Sequence, residues 1–275
     1  MMAPLVEVRN LVKHFASRRW LPGLAASVTR AVDGVSFAIA RGETLALVGE
    51  SGCGKSTTGR CVLRLIEPTA GEIRLDGTDL VALDRAAMRP MRRRIQIIFQ
   101  DPGAALTSHL RVGEQIAEPL RNLAGITDAA ERRTRVSGLL RRVGLSPADA
   151  ERYPHEFSGG QRQRVCIARA LATGPDLIVC DEAVSALDVS IQAQVLRLLA
   201  DLKQRLNLSM LFITHDLRVA AQVCDRIIVM QRGRIVEMGP ADKVLGAPDH
   251  PYTRSLLEAI PGREYERALR EAIGA

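Results

Sequence analysis

The chain has 275 residues, 47% of them hydrophobic and 25% charged, with a formal net charge of +7. That length and mix fit one large α/β domain, or one domain with a smaller appendage, with enough chain to bury a sizeable core. No run approaches the ~18 consecutive apolar residues of a membrane span, residues 1–10 lack the apolar stretch of a secretory signal, and the cysteines at 53, 61, 166, 180 and 224 show neither C-x-x-C spacing nor a disulfide framework, which fits a reducing cytosol.

Nearly all the basic residues are arginine. A basic balance can serve nucleic acid, an anionic membrane surface, or only solvation. The arginines are spread out, and the tightest group is four within residues 89–94. That spread favours the solvated surface.

Leu5-Val6-Glu7-Val8-Arg9 alternates apolar and polar side chains and predicts a half-buried strand. Residues 16–30 are polar and basic, contain Pro22 and Gly23, and read as a loop insertion. A second strand is expected over 31–39. Arg41-Gly42-Glu43 then turns the chain into a buried strand at 45–48.

Gly49-Glu50-Ser51-Gly52-Cys53-Gly54-Lys55-Ser56 matches G-x-x-x-x-G-K-[ST], a phosphate-binding loop. A strand precedes it, and a helix over 57–66 is expected after it, as the motif requires. The glycines let successive backbone N–H groups curl into an anion site, and the helix points its positive end there. Lys55 is placed to reach β- and γ-phosphates and the Ser56 hydroxyl to bind Mg²⁺. The alternative is a glycine-rich turn with a surface lysine; the agreement of both flanks weighs against it.

Strands are next expected at 72–75, followed by the turn Asp76-Gly77, and at 95–99, stopped by Gln100-Asp101-Pro102-Gly103. The pattern then turns helical. Val112, Ile116, Ala117 and Leu120 have helical spacing, as do Val136, Leu139, Leu140 and Val143, with Gly144 and Pro147 as stop signals. A third helix is expected over 161–173. Strands at 177–180, 209–213 and 226–230 alternate with helices at 190–206 and 217–223. A hairpin at 231–234 leads to a strand at 235–238, and a helical tail follows Gly239. No internal repeat is visible. This order argues a mostly parallel α/β core with a helical insert at about residues 101–172. Ligands in such sheets bind at the carboxyl ends of strands.

Asp181-Glu182 directly follows the strand at 177–180, at that edge. Asp181 suits a Mg²⁺ ligand and Glu182 a general base for an attacking water. Without the phosphate loop, a surface acidic pair would be the better reading. Ser158-Gly159-Gly160-Gln161 opens a helix. Ser158 fits a helix cap, and the stretch also fits a second anion site serving another subunit's nucleotide. His215, in Thr214-His215-Asp216, ends a strand where it can contact a γ-phosphate, although a lone histidine is usually structural. Gln100 ends another strand and can offer its carbonyl to Mg²⁺ or water.

The phosphate loop, Gln100, Ser158-Gly159-Gly160-Gln161, the strand with Asp181-Glu182, Ser185-Ala186-Leu187-Asp188 and His215 stand in the order of an ABC transporter nucleotide-binding subunit, which the chain resembles over nearly its whole length. Three stretches resemble the peptide and nickel import branch: Tyr153-Pro154-His155-Glu156-Phe157, Asp188-Val189-Ser190-Ile191-Gln192-Ala193-Gln194-Val195, and His250-Pro251-Tyr252-Thr253. The resemblance implies an ATPase with a P-loop core, a mostly parallel sheet, an N-terminal antiparallel β subdomain and an inserted helical subdomain. The cassette would span 1–240 and a C-terminal tail 241–275.

It further implies two cassettes, copies or paralogues, facing head to tail. ATP would sit between residues 49–57 of one, Thr57 included, and Ser158, Gly159, Gly160 and Gln161 of the other. Asp188 would cross the interface. Gln100 would sense Mg²⁺, alongside Ser56 and Asp181 as metal ligands, and link to the helical insert. His215 would hold the γ-phosphate. Phe15 matches the adenine-stacking position, with Trp20 as the rival and plain core packing as the other alternative. Two transmembrane permeases, and indirectly an extracytoplasmic solute-binding protein, would complete an importer of oligopeptides, dipeptides or a nickel-like solute. The chain would lie on the cytoplasmic face of the membrane, with no nucleic acid bound.

Ala105-Leu106-Thr107-Ser108-His109-Leu110 departs from the branch's usual serine-leucine-asparagine-proline, near the expected permease contact. No cysteine follows Cys224, so no iron–sulfur cluster of the kind some members carry is expected. The rival classes are a soluble ABC-type ATPase acting on nucleic acid or ribosomes, and a cassette of the export type or another import branch.

Overall fold

The computed structural model describes residues 3–16 and 28–259. Two long strands open the chain, β1 (Val6–Ala16) and β2 (Val28–Ile39). After them come β3 (Thr44–Val48), helix α1 (Lys55–Val62), β4 (Ala70–Leu75) and the short β5 (Thr78–Asp79). Four of these make an antiparallel sheet in the order β2-β1-β4-β5.

The first two strands are longer than the sequence pattern indicates: Ala16 and residues 28–30, read as part of a loop insertion at 16–30, belong to them, and the rest of that insertion lies outside the described residues. β1 pairs with β2 from Val6↔Ile39 to Ala16↔Val28. Register shifts near Asn10, whose φ is +47°, break the two-residue alternation. Beyond that break the polar Lys13 and His14 still lie in the ladder, so periodicity alone stops too early. Trp20 lies outside the described residues.

The chain continues through α2 (Arg85–Arg94) and β6 (Ile95–Ile98), then α3 (Pro102–Ala105), α4 (Val112–Asn122), α5 (Ala129–Arg142) and α6 (Gly159–Leu171). Between α5 and α6 run two short 3-10 turns, Pro147–Glu151 and Pro154–Glu156. The remaining elements are β7 (Leu177–Asp181), α7 (Val189–Leu206), β8 (Ser209–Ile213), α8 (Leu217–Val223), β9 (Arg226–Gln231), β10 (Arg234–Pro240), α9 (Ala241–Gly246) and α10 (Pro251–Glu258).

Helix α2 is not anticipated from the sequence, because Met88 is its only buried residue and Pro90 interrupts it. Its start is nevertheless marked: Asp84 accepts a hydrogen bond from the Ala87 N–H at 2.7 Å. Helix α1 begins at Lys55, two residues earlier than expected, and stops at Val62; Arg64 follows at φ +50°.

The second sheet has the order β10-β9-β3-β8-β7-β6, parallel except for β10. Strands β3, β7 and β8 are buried at every position, as strands covered on both faces must be. One face packs with β1, β2, β4 and α1 through residues such as Leu45, Leu47, Leu211 and Ile213. The other packs on the helical region through Ile178, Cys180, Met210 and Phe212. A small third core joins Ala46 and Val48 of β3 to Val244, Tyr252 and Leu257 of the C-terminal helices.

Candidate functional site

Four neighbouring strands deliver the candidate residues to one edge. Because β3, β8, β7 and β6 are parallel neighbours in that order, their carboxyl ends lie together. They lead respectively into the phosphate loop, Thr214-His215, Asp181-Glu182 and Gln100.

The loop wraps tightly around the start of α1. Gly49 has φ +148°, and a Cβ there would stand 2.2 Å from the Met230 carbonyl oxygen of β9, so no side chain fits. Lys55 is only 4% exposed. Its Nζ donates to the carbonyl oxygens of Gly49 and Glu50, both at 2.8 Å, which holds the ammonium inside the loop. Burial pushes the neighbouring Cys53 thiol up, partly countered by the nearby Lys55 charge. Ser56 and Thr57 are half-buried at the first turn of α1.

Asp181 ends β7 and is buried. Its Oδ2 accepts from Arg60 at 3.3 Å, whereas its Oδ1 is buried with no hydrogen-bond partner. An unpaired buried carboxylate oxygen is costly unless something binds it. Asp181 ends its strand at the sheet edge where Ser56 and Gln100 also lie, and such a set of oxygen donors fits a hard cation such as Mg²⁺. Arg60 escapes sequence reasoning; the available signal is its place four residues after Ser56, on the same helix face.

Glu182 has φ +52°, an uncommon backbone for a non-glycine residue that costs about 1–3 kcal/mol. The turn is fixed from both sides. Its N–H donates to the Ile213 carbonyl at 3.0 Å, and its carbonyl accepts from Ser185 Oγ at 2.9 Å. The carboxylate reaches His215, with Oε2 3.5 Å from Nδ1. The sequence readings of Glu182 and His215 thus converge on one contact. Gln100 lies exposed in the bend after β6.

The remaining candidates lie elsewhere. Ser158 caps α6, its Oγ accepting from the Gln161 N–H at 3.3 Å while Gln161 Oε1 accepts from the Ser158 N–H at 3.0 Å. Helix α6 packs on α3, α4, α5, α7 and β6, all outside the phosphate loop. Ser158 and Gly159 are exposed. Gly160 is enforced by packing, since a Cβ there would stand 2.4 Å from Ile191 Cγ2 of α7. Asp188 precedes α7 without capping it by its side chain, and Val189 beside it is 84% exposed.

Phe15 does not pack into the core. It is 41% exposed, with Lys13 Nζ 4.9 Å from its ring centroid. The departing segment 105–110 is tied down by buried Gln115, which accepts from the Thr107 N–H at 2.8 Å and donates to the carbonyls of Thr107 and Leu110. Tyr252, read from the sequence only as part of a tail motif, takes the Glu50 N–H at 3.2 Å.

Residues 32–185 match the model of the ABC transporter family, and residues 236–274 match the oligopeptide/dipeptide transporter C-terminal region. A peptide import ATP-binding protein of Brucella ovis is 55% identical over 94% of this chain and 79% of its own length. The glutathione import ATP-binding protein GsiA of Pectobacterium atrosepticum is 50% identical over 98% of this chain and 43% of its own. Among solved structures, the ATP-binding cassette MJ0796 bound to ADP and Pi superposes with a TM-score of 0.75 at 31% identity, covering 86% of this chain and 98% of that one. The structure of cbiO1 from Clostridium perfringens, part of the cbiONQ transporter complex, gives 0.77 at 26% identity, covering 96% and 99%.

Proposed function

The chain belongs to the ABC transporter family, and from that premise we propose that it powers uptake of a small peptide or similar solute by hydrolysing ATP. It is an ATP-binding ATPase of an importer. The observation that carries the reading is the single sheet edge where the phosphate loop, Asp181-Glu182, His215 and Gln100 meet. Relatives named for peptide and glutathione import, and the match at 236–274, support oligopeptides or dipeptides over a nickel-like solute. The same match weighs against a soluble ATPase acting on nucleic acid or ribosomes.

In this reading the loop's N–H groups and Lys55 bind the phosphates, and Phe15 stacks on adenine. Ser56, Asp181 and Gln100 would hold Mg²⁺, which neutralises phosphate charge when bound. Glu182 takes the proton from the attacking water, and His215 orients its carboxylate and touches the γ-phosphate. Ser158, Gly159 and Asp188, exposed and away from the loop, and the buried Gly160 beside them serve a second cassette, copy or paralogue, placed head to tail. ATP closes that pair only to the extent that it binds the closed state better. We assign residues 1–240 to the cassette and 241–275 to a C-terminal tail.

Membrane permeases are its partners. We propose two of them, reached through the helical region, with a solute-binding protein on the far side. No described helix is long and apolar enough to cross a membrane; the partners would hold the chain at the cytoplasmic face. Tagged protein purified from detergent-solubilised native membranes should carry multi-spanning proteins with it. Recovery only with ribosomes or DNA would overturn the transport reading.

A further inference from the structure

We propose that Tyr252 is a positioning residue for the phosphate loop, and that the C-terminal helix α10 thereby sets the nucleotide affinity of the site. The proposal rests on the ATP-binding reading above. The peptide group between Gly49 and Glu50 is held at both ends. Its carbonyl, Gly49 O, accepts from Lys55 Nζ at 2.8 Å, and its N–H, on Glu50, donates to Tyr252 Oη at 3.2 Å. These two partners differ in one respect. Lys55 is the residue a triphosphate competes for, whereas Tyr252 is not. The tyrosine bond therefore keeps this peptide oriented when the lysine is shared with phosphate.

The tyrosine is itself firmly placed. Glu237 on β10 accepts from the backbone N–H groups of Asp249 and His250, at 2.8 and 3.1 Å, which fixes the entry to α10. His250 Nδ1 then caps the helix by accepting from the Tyr252 N–H at 3.2 Å, and Pro251 occupies its first turn. Burial pushes the Glu237 carboxyl up, but hydrogen bonding, those two N–H groups included, outweighs it and holds it below its ordinary value, so the anchor stays ionised. Tyr252 and Leu257 pack with Ala46 and Val48 on β3, the strand that runs into the loop. Burial also pushes the Tyr252 phenol up, which keeps it neutral at physiological pH. Helix α10 thus supports both the strand and the first turn of the loop, from a site 202 residues away in sequence.

The test uses the full chain and Tyr252→Phe, which keeps the ring and removes one oxygen. The affinities for ATP and for GTP should both fall about fivefold, the worth of one net hydrogen bond. Turnover at saturating ATP should stay within about twofold, because the loop binds ground state and transition state alike. In hydrogen exchange the Glu50 amide should lose protection in the variant while those of β3 keep theirs. Equal ATP affinity and equal Glu50 protection in the two proteins would overturn the proposal. So would a loss of protection spread through β3, which marks a merely structural role. A wild-type chain that binds no nucleotide would instead overturn the ATPase reading itself.

Discussion

Glu182 Oε2 lies 3.5 Å from His215 Nδ1, across the ends of two neighbouring parallel strands. The carboxylate and the ring are therefore positioned as a pair, with the unusual backbone at Glu182 turning the side chain off the end of β7. Glu182→Gln keeps the shape and removes the proton acceptor. It should bind ATP normally and lose roughly 10²–10⁴-fold in kcat. His215→Ala should also lower kcat while leaving ATP affinity largely intact. Steady-state ATPase and equilibrium binding separate the two effects, and normal turnover in Glu182→Gln would remove it from the base role.

Lys55 is buried against the loop's own carbonyls. Lys55→Ala removes the charge proposed to bind phosphate and leaves those carbonyls underpaired. ATP affinity should drop about 10–100-fold, the range for hydrogen bonds to charged groups. Fluorescent-nucleotide titration gives the number; unchanged affinity counts against the phosphate cradle.

Ser158 caps α6, and it is also proposed to serve a second cassette. Two substitutions separate these roles. Ser158→Ala should lower stability by about 1 kcal/mol through the lost cap. Ser158→Asp restores a good cap but brings a negative charge to a phosphate site. It should recover the denaturation midpoint and not the ATPase rate. Recovery of both would leave Ser158 as a cap alone.

The cysteines should be quiet in the folded protein. Burial pushes the thiols of Cys61 and Cys166 up to about 11 and that of Cys180 up to about 12, and it raises Cys53 and Cys224 as well. The thiolate is the reactive form, so at pH 8 almost none is present. Ellman's reagent should find no fast thiol in the native chain and all five after denaturation. A rapidly reacting native thiol would show that the packing around it is looser than described.

The phosphate loop and the acidic pair were legible in the sequence because each is local. A buried strand, a glycine turn and a helix, or a strand followed by two acids, leave their marks within a dozen residues. The helical stretch between β6 and β7 was legible for the same reason, through apolar spacing such as Val112, Ile116 and Leu120. Helix α2 was not, since one buried methionine carries no period. The far half of β1 and the first three residues of β2 were not, since the register shifts near Asn10 reset the alternation.

The sequence by itself therefore determined the chemistry available: which residues can cradle phosphate, accept a proton or bind a cation, and which strand each one follows. Only the tertiary structure decided who meets whom. The order β3-β8-β7-β6 differs from the order along the chain, and it alone brings His215 to Glu182. Arg60 meets Asp181 across 121 residues, and Tyr252 meets Glu50 across 202. Local spacing specifies an element, because backbone hydrogen bonds and side-chain periodicity act over a few residues. Neighbours across a sheet are chosen by crossover connections and by burial of whole faces, and those choices leave no periodic trace in the chain.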